Sequence, residues 1–491
     1  MESPLAFQKI KEKFSADDKA ALLIIGCFLI LGFARIFLGF IPWYLLIVML
    51  PMFYVSLLYP KAGLYGIIFL TVLFERFFTL EALQFGREAI KLYSLDIVLL
   101  GVYGGVLARM LYAKTRLTLK PADVWLLIFF FVASLYCVAS FIGFGNQDLA
   151  VAFSTWKNYV FYGALFFAVP LLVENESDVR KIVKYFLAAA SIGILFLVIG
   201  VVRGEGLWTE FTPLSTAGVR LLAFPHAFYF SLAFLGMFVT AEYWARNRYR
   251  ALLWIVLALW LFGILGSLMR HMWIGMAVAI GVAWVFLLNR ATRQTTRKMI
   301  VIGLAFGTLI LSFWLFVSLL FPTSTAGHAF QNVGQTVVMR VTSMSNAYDE
   351  SIAWRGSTWQ SAFSELSHNP FFGSGFGAHI PVEQGDYRDF VEIRNIHNSW
   401  LALLVQMGMI GFVTLAFSLG LLVWRVLRTR PEARFLGALR VALLTLFVYQ
   451  GIVLFAQPYL ETNLTGVFFW LTLGLMHTLC SLAEKSSLEH V

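Results

Sequence analysis

About fourteen apolar runs, most of them near the roughly 20 residues needed to cross a bilayer, succeed one another along this chain. They occupy approximately 20–40, 42–59, 62–80, 94–112, 123–143, 157–173, 181–202, 221–242, 251–268, 271–289, 299–321, 399–424, 435–456 and 463–481. Backbone placed in hydrocarbon must satisfy its polar groups within its own segment, which helices do. Composition agrees: 60% of the 491 residues are hydrophobic and 13% are charged, against roughly 25% charged in soluble domains. The second and third runs are short and closely joined. The expected fold class is therefore an all-α polytopic membrane protein with about 12–14 transmembrane helices.

One bundle is the natural domain description. Residues 1–19 precede a transmembrane bundle at 20–321, a long polar loop at 322–398, C-terminal helices at 399–481 and a tail at 482–491. Met1–Lys19 is polar and mixed in charge, without a signal-peptide pattern, and the first apolar run leads straight into the next. Cys27, Cys137 and Cys480 fall inside apolar runs and carry neither a disulfide pattern nor a zinc spacing.

The net charge of +10 could suggest nucleic acid, but its placement points elsewhere. Lys114, Arg116 and Lys120 follow the fourth run, and Arg246, Arg248 and Arg250 the eighth. Arg290, Arg293, Arg297 and Lys298 follow the tenth, and Arg425, Arg428, Arg430 and Arg434 the twelfth. Their parity puts all four clusters on one side, which the positive-inside rule makes cytoplasmic together with both termini. These residues are topology signals, and no nucleic-acid partner is expected.

The outer loops are then about 81–93, 144–156, 203–220, 268–270, 322–398 and 457–462. The 322–398 loop far exceeds the rest, and loops of that length are usually functional or disordered. It carries Trp354, Trp359, Phe363, Phe371, Phe372 and Phe376, enough aromatic surface to pack. The apolar spacing over Trp354–Ser367 predicts a helix that Asn369-Pro370 stops. Gly373-Ser374-Gly375-Phe376-Gly377 then makes either a plain turn or a direct substrate contact; it matches no nucleotide-binding fingerprint.

Basic side chains stand out on the outer face at Arg220, at Arg270 within Ser267-Leu268-Met269-Arg270-His271, and at Arg394 with His397. Singly, such an arginine can merely snorkel to lipid headgroups. Together they suit a lipid diphosphate, because guanidinium pairs bidentately with phosphate oxygens and keeps its charge. His397 stands where the loop re-enters an apolar helix, inside Arg394-Asn395-Ile396-His397-Asn398-Ser399-Trp400-Leu401. Neutral imidazole accepts a proton from a hydroxyl near pH 7, and nearby arginines would hold its pKa down. Asn398-Ser399 would also cap the helix that follows. No metal site is expected. The first outer loops lack an Asp-x-Asp pair, and Arg388 within Asp386-Tyr387-Arg388-Asp389 favours ion pairing.

His397-Asn398-Ser399-Trp400-Leu401, followed by Gly408-Met409-Ile410-Gly411, resembles the His-Asn-x-x-Leu…Gly-x-x-Gly ending of the O-antigen ligase and polymerase superfamily. Asn369-Pro370 through Gly377 is similar to its Asn-Pro…Gly-x-Gly-x-Gly segment, Arg355 with Trp359 to its arginine-tryptophan helix, and Ser267–Arg270 to its Ser-x-x-Arg motif. The resemblance covers about 220–420. It implies a type C glycosyltransferase-like fold with one large, partly helical periplasmic loop in a bacterial inner membrane. The implied donor is a glycan on undecaprenyl diphosphate. Transfer would be metal-independent, use no ATP or other cofactor, and invert the anomeric centre in ligases. The implied catalytic residue is His397, with Arg270, Arg220 and Arg394 on the diphosphate and Arg355, Asn398, Gly375 and Gly377 as further substrate contacts. The acceptor would be lipid A–core for a ligase, or another lipid-linked glycan for a polymerase; membrane lipid surrounds both. Family ligases are commonly read with about twelve spans, fewer than the runs counted here, which leaves room for an O-antigen or exopolysaccharide polymerase. A transporter is the reading from another class, but no internal repeat of the kind transporters carry is evident.

Overall fold

Every apolar run coincides, in whole or in part, with a helix of the computed structural model, which describes residues 15–38, 42–74, 82–85, 90–112, 118–142, 148–203, 222–244, 249–320, 350–384 and 387–489. Helices α1 (Ala16–Leu38), α2 (Pro42–Leu58) and α3 (Pro60–Leu73) lead to a short antiparallel hairpin, β1 (Ala82–Phe85) with β2 (Ile90–Tyr93). Then come α4 (Ser94–Tyr112), α5 (Pro121–Phe141), α6 (Leu149–Trp156), a π-turn at Lys157–Phe161, α7 (Leu165–Leu172), α8 (Glu176–Ile192) and α9 (Ile194–Arg203). They are followed by α10 (Phe224–Val239), α11 (Ala241–Trp244), α12 (Arg250–Gly266), α13 (Arg270–Val282) and α14 (Arg290–Leu320). The large loop contributes α15 (Glu350–His368) and a second hairpin, β3 (His379–Gln384) with β4 (Tyr387–Glu392). The chain closes with α16 (Ser399–Arg428), α17 (Arg434–Val453) and α18 (Asn463–Glu489).

Among the described residues, seven helices are long and apolar enough to cross a membrane, and four shorter apolar helices accompany them. The protein is an all-α, polytopic membrane protein, and among the described residues its strands lie in two small hairpins. Local sequence accounts for several helix starts. Pro60, Pro121 and Pro225 stand in the first turn, where a missing N–H costs nothing. Asp148 and Asn175 accept from Val151 N and Asp178 N as N-caps. Leu107, Phe131, Val138, Ile255 and Phe417 are more than half exposed on apolar helices, as a lipid-facing surface requires. Helix α18 is apolar on all sides and runs through the middle of the bundle. Its Trp470 is fully buried against Phe130 and Phe469.

The bundle has two chemically distinct ends. At one, Lys61 pairs with Asp178 at 2.9 Å, Arg425 with Glu484 at 2.7 Å and Lys120 with Glu484 at 3.4 Å. Lys120 and Arg425, from two of the basic clusters in the sequence, thus meet on one carboxylate at this end. The opposite end carries α15, the β3–β4 hairpin and the start of α16, which share a small core of Ala362, Ile380, Val382, Ile393, Ile396 and Leu401. The predicted loop helix is present and ends at His368, directly before Asn369-Pro370. The hairpin after it has no counterpart in the sequence reading.

Candidate active site

Helix α16 begins at an N-cap, Asn398, whose side-chain oxygen accepts from Leu401 N at 3.1 Å. Asn398 is buried, with its side-chain oxygen used on this cap. The residue before it, His397, has φ of +55°. The left-handed region costs a non-glycine residue roughly 1–2 kcal/mol, so neighbours must hold it there. Trp359 of α15 donates Nε1–H to Ile396 O at 2.9 Å, and Ser399 N donates to Leu454 O at 2.8 Å, bracketing the histidine. Among the described residues the other non-glycine with positive φ is Leu268, at +56°. It stands two residues before Arg270, the first residue of α13. Strained backbone of this kind collects at functional sites, and here it marks the joint ahead of the helix that begins at Arg270 and, at His397 itself, the joint ahead of α16.

The imidazole has a defined orientation. Nδ1 lies 2.8 Å from Gln457 Oε1. An amide oxygen only accepts, so Nδ1 carries the hydrogen and Nε2 keeps its lone pair. Trp354 meets the ring edge-on, with centroids 5.1 Å apart at 89°. Burial, followed by the Arg355 charge, pushes the imidazole pKa below its ordinary 6.5, against the opposing pull of Gln457. Residues 354, 355, 358 and 359 lie on one face of α15, so Trp354, Arg355 and Trp359 reach the histidine segment together.

The connection between α17 and α18, residues 454–462, floors the site. His271 Nε2 is 2.8 Å from Tyr459 Oη, which brings the start of α13 to the segment that supplies Gln457. Glu461 is buried beneath. Its carboxylate accepts from Tyr159 Oη at 2.7 Å and from Ser399 Oγ, and its carbonyl from Asn158 Nδ2 at 2.5 Å. The π-turn at Lys157–Phe161 turns Asn158 toward the Glu461 carbonyl and Tyr159 toward its carboxyl, and π-turns recur at functional sites. Burial outweighs these bonds and pushes the Glu461 carboxyl up to about 7.

The glycine-rich segment has a different task from cradling phosphate. Helix α16 is broken at Gly408, with φ +61° and ψ −165°. Ser374 N donates to Val405 O at 2.8 Å and Gly375 N to Gln406 O at 2.9 Å, while Met409 N donates to Pro370 O at 2.9 Å. Gly377 O accepts from Asp148 N at 3.1 Å. The turn therefore satisfies backbone groups freed by the break. A Cβ on Gly408 would stand 2.2 Å from Phe371 O, and one on Gly373 would stand 2.5 Å from Val405 O. Of Gly375 and Gly377, expected to meet substrate, the Gly375 amide and the Gly377 carbonyl are used within the protein.

The arginines part company. Arg355 lies beside His397. Arg270 opens α13 next to His271. Arg394 is held by Glu392 at 2.5 Å, on the short helical turn before the histidine. Arg220 lies outside the described residues. Sequence reasoning missed Gln457, Tyr459, Glu461 and Tyr159, since nothing near them in the chain resembles a site. The one available signal was polar residues in a very short outer connection, Gln457 and Glu461 within 457–462.

Residues 255–416 match the family described as O-Antigen ligase. This match, over about a third of the chain, supports a relation to the O-antigen ligase and polymerase superfamily. The ligase-family segment contains Arg270, α15 with Arg355, the glycine turn, His397 and the break in α16. It stops before the 454–462 connection, so Gln457 and Glu461 come from outside the matched core. No curated protein matches the chain at a significant level. The family match supports glycosyltransferase chemistry of the ligase or polymerase type in a multi-pass membrane protein.

Proposed function

We propose that this protein transfers a glycan from undecaprenyl diphosphate to an acceptor hydroxyl at the periplasmic face of the bacterial inner membrane, most plainly as an O-antigen ligase acting on lipid A–core. The observation that carries the reading is the imidazole of His397, held by Gln457 at Nδ1 with Nε2 as the basic atom. In this scheme Nε2 takes the proton of the acceptor hydroxyl as its oxygen attacks the anomeric carbon. The bond to the diphosphate breaks on the opposite face, and the anomeric centre inverts. Arginines stabilise the departing diphosphate, so the step needs no metal. Arg355 and Arg270 take that role in this scheme. Arg220 joins them by family resemblance, and Arg394 does so on exchanging Glu392 for phosphate.

The test is transfer by the purified chain with an undecaprenyl-diphosphate glycan as donor. Product on lipid A–core, lost in His397→Ala while the variant still folds, supports the ligase. Elongated chains in a tube with donor alone support a polymerase of the same superfamily. Wild-type transfer by His397→Ala refutes the assignment of the base.

A further inference from the structure

At the end of the bundle opposite His397, helices α3, α8, α10, α17 and α18 enclose an apolar cavity of about 240 Å³. Phe186, Leu232, Gly236, Ala438, Ala442 and Phe468 are among its walls. Space is open where a Cβ on Gly236 would stand. The hydroxyls in the wall are turned away: Thr240 donates to Gly236 O at 2.7 Å and Thr472 to Phe468 O at 2.7 Å. An apolar cavity of roughly 150 Å³ stays dry and takes hydrocarbon, so this larger one suits an apolar chain and not water.

The mouth shows what that chain is attached to. Tyr243 and Phe435 form part of the rim. The Arg180 guanidinium lies 4.0 Å over the Phe435 ring and donates to Tyr243 Oη at 2.7 Å. Arg180 is neutralised by Glu176. Arg434 is exposed, sits 5.8 Å from the Tyr243 ring and donates to the Glu242 backbone oxygen at 3.2 Å. The Glu242 carboxylate turns aside to Thr292, 2.8 Å away. A guanidinium at the lip of an apolar slot matches a phosphate joined to hydrocarbon.

The other end is shut. Phe228, Tyr229, Tyr449 and Phe468 form a buried aromatic layer between the cavity and Tyr459. Helix α17, with 20 residues, spans roughly 30 Å from Arg434 to the connection that holds His397. A chain anchored by a diphosphate at the histidine does not run into this slot.

We propose that the cavity holds one acyl chain of a glycerophospholipid from the leaflet opposite His397, with its phosphate on Arg434. The site stands apart from glycosyl transfer and does not depend on it. The test is native mass spectrometry of the full chain released from detergent, with phosphatidylglycerol and phosphatidylethanolamine as probes, alongside thermal melts. Wild type should retain one phospholipid and melt higher on its addition. Gly236→Leu with Ala438→Phe, which fills the slot, should lose both effects. Arg434→Ala should weaken retention of either lipid. A filled variant that folds yet retains the same lipid overturns the proposal, as does a wild type stabilised by polyprenyl phosphate and not by phospholipid. A second measurement leaves the cavity unfilled: brominated acyl chains should quench wall residue Trp244, seen as the difference between wild type and Trp244→Phe. Equal quenching in the two also overturns it.

Discussion

Gln457 is the sharpest place to test how the histidine works, because it touches the ring and lies outside the family match. Gln457→Leu removes the acceptor for Nδ1–H, 2.8 Å away in the native protein. A hydrogen bond of this kind contributes a net 0.5–1.5 kcal/mol or so, and 1.36 kcal/mol is about tenfold in rate. Without it the Nδ1–H tautomer loses that bias, so kcat should fall roughly two- to tenfold. Removing the base in His397→Ala should cost about 100- to 10,000-fold. The pH profile separates this account from a structural one. Gln457 favours the charged imidazole and so raises its pKa, while burial and Arg355 lower it. The neutral ring is the active form, so activity falls as pH drops through a value below 6.5. Gln457→Leu should move that acid limb to still lower pH. Gln457→Glu, which places a carboxylate on Nδ1, should move it up. The assay is initial transfer rate between pH 4.5 and 8 in detergent, with folding checked by melting temperature. An acid limb that stays put in both variants, whatever the rate, refutes the role given to Gln457.

Other outcomes follow from the same geometry. Glu461 has its carboxyl raised from 4.5 to about 7 by burial, so its contribution to stability is full below pH 4.5 and is lost as pH rises through 7. Glu461→Gln should flatten that part of the melting-temperature curve between those limits, and an unchanged slope counts against the burial argument. Glu461→Leu leaves Ser399 and Tyr159 only their longer bonds to Gln457 O at 3.2 Å and Gln406 Oε1 at 3.3 Å, and should destabilise by about 0.5–1.5 kcal/mol for each bond lost, read from denaturant unfolding. Gly408→Ala forces a side chain into a glycine-only conformation worth about 1–3 kcal/mol and against Phe371 O. It should lower the melting temperature and expose the 369–377 segment to protease, and full protection there would show that the docking matters little. Transfer should continue in EDTA, and a rate restored only by added divalent cation would overturn the metal-independent step.

Much of the architecture was readable from local pattern. Apolar runs near bilayer length become helices because hydrocarbon leaves a backbone no other partner, and Lys120 and Arg425, from two of the basic clusters, meet on Glu484 at one end of the bundle. Within the long loop, the spacing from Trp354 and the Asn369-Pro370 stop set α15 to within a few residues. His397 could be singled out because its motif is contiguous. Its working state could not, since the atoms that decide it are 60 residues away at Gln457 and on α15. Glu461 illustrates the same limit: in the chain it is one more loop carboxyl, and burial in the folded bundle, against the opposing pull of its bonds from Ser399 and Tyr159, is what raises its pKa. The glycine turn reads as flexible in sequence, whereas its amides are committed to a helix break that forms only when α16 packs beside it. Helices, loop lengths and charge placement are short-range properties, and sequence carries them. Tautomer, protonation and the pairing of distant backbone groups depend on which segments touch, and folding alone decides that.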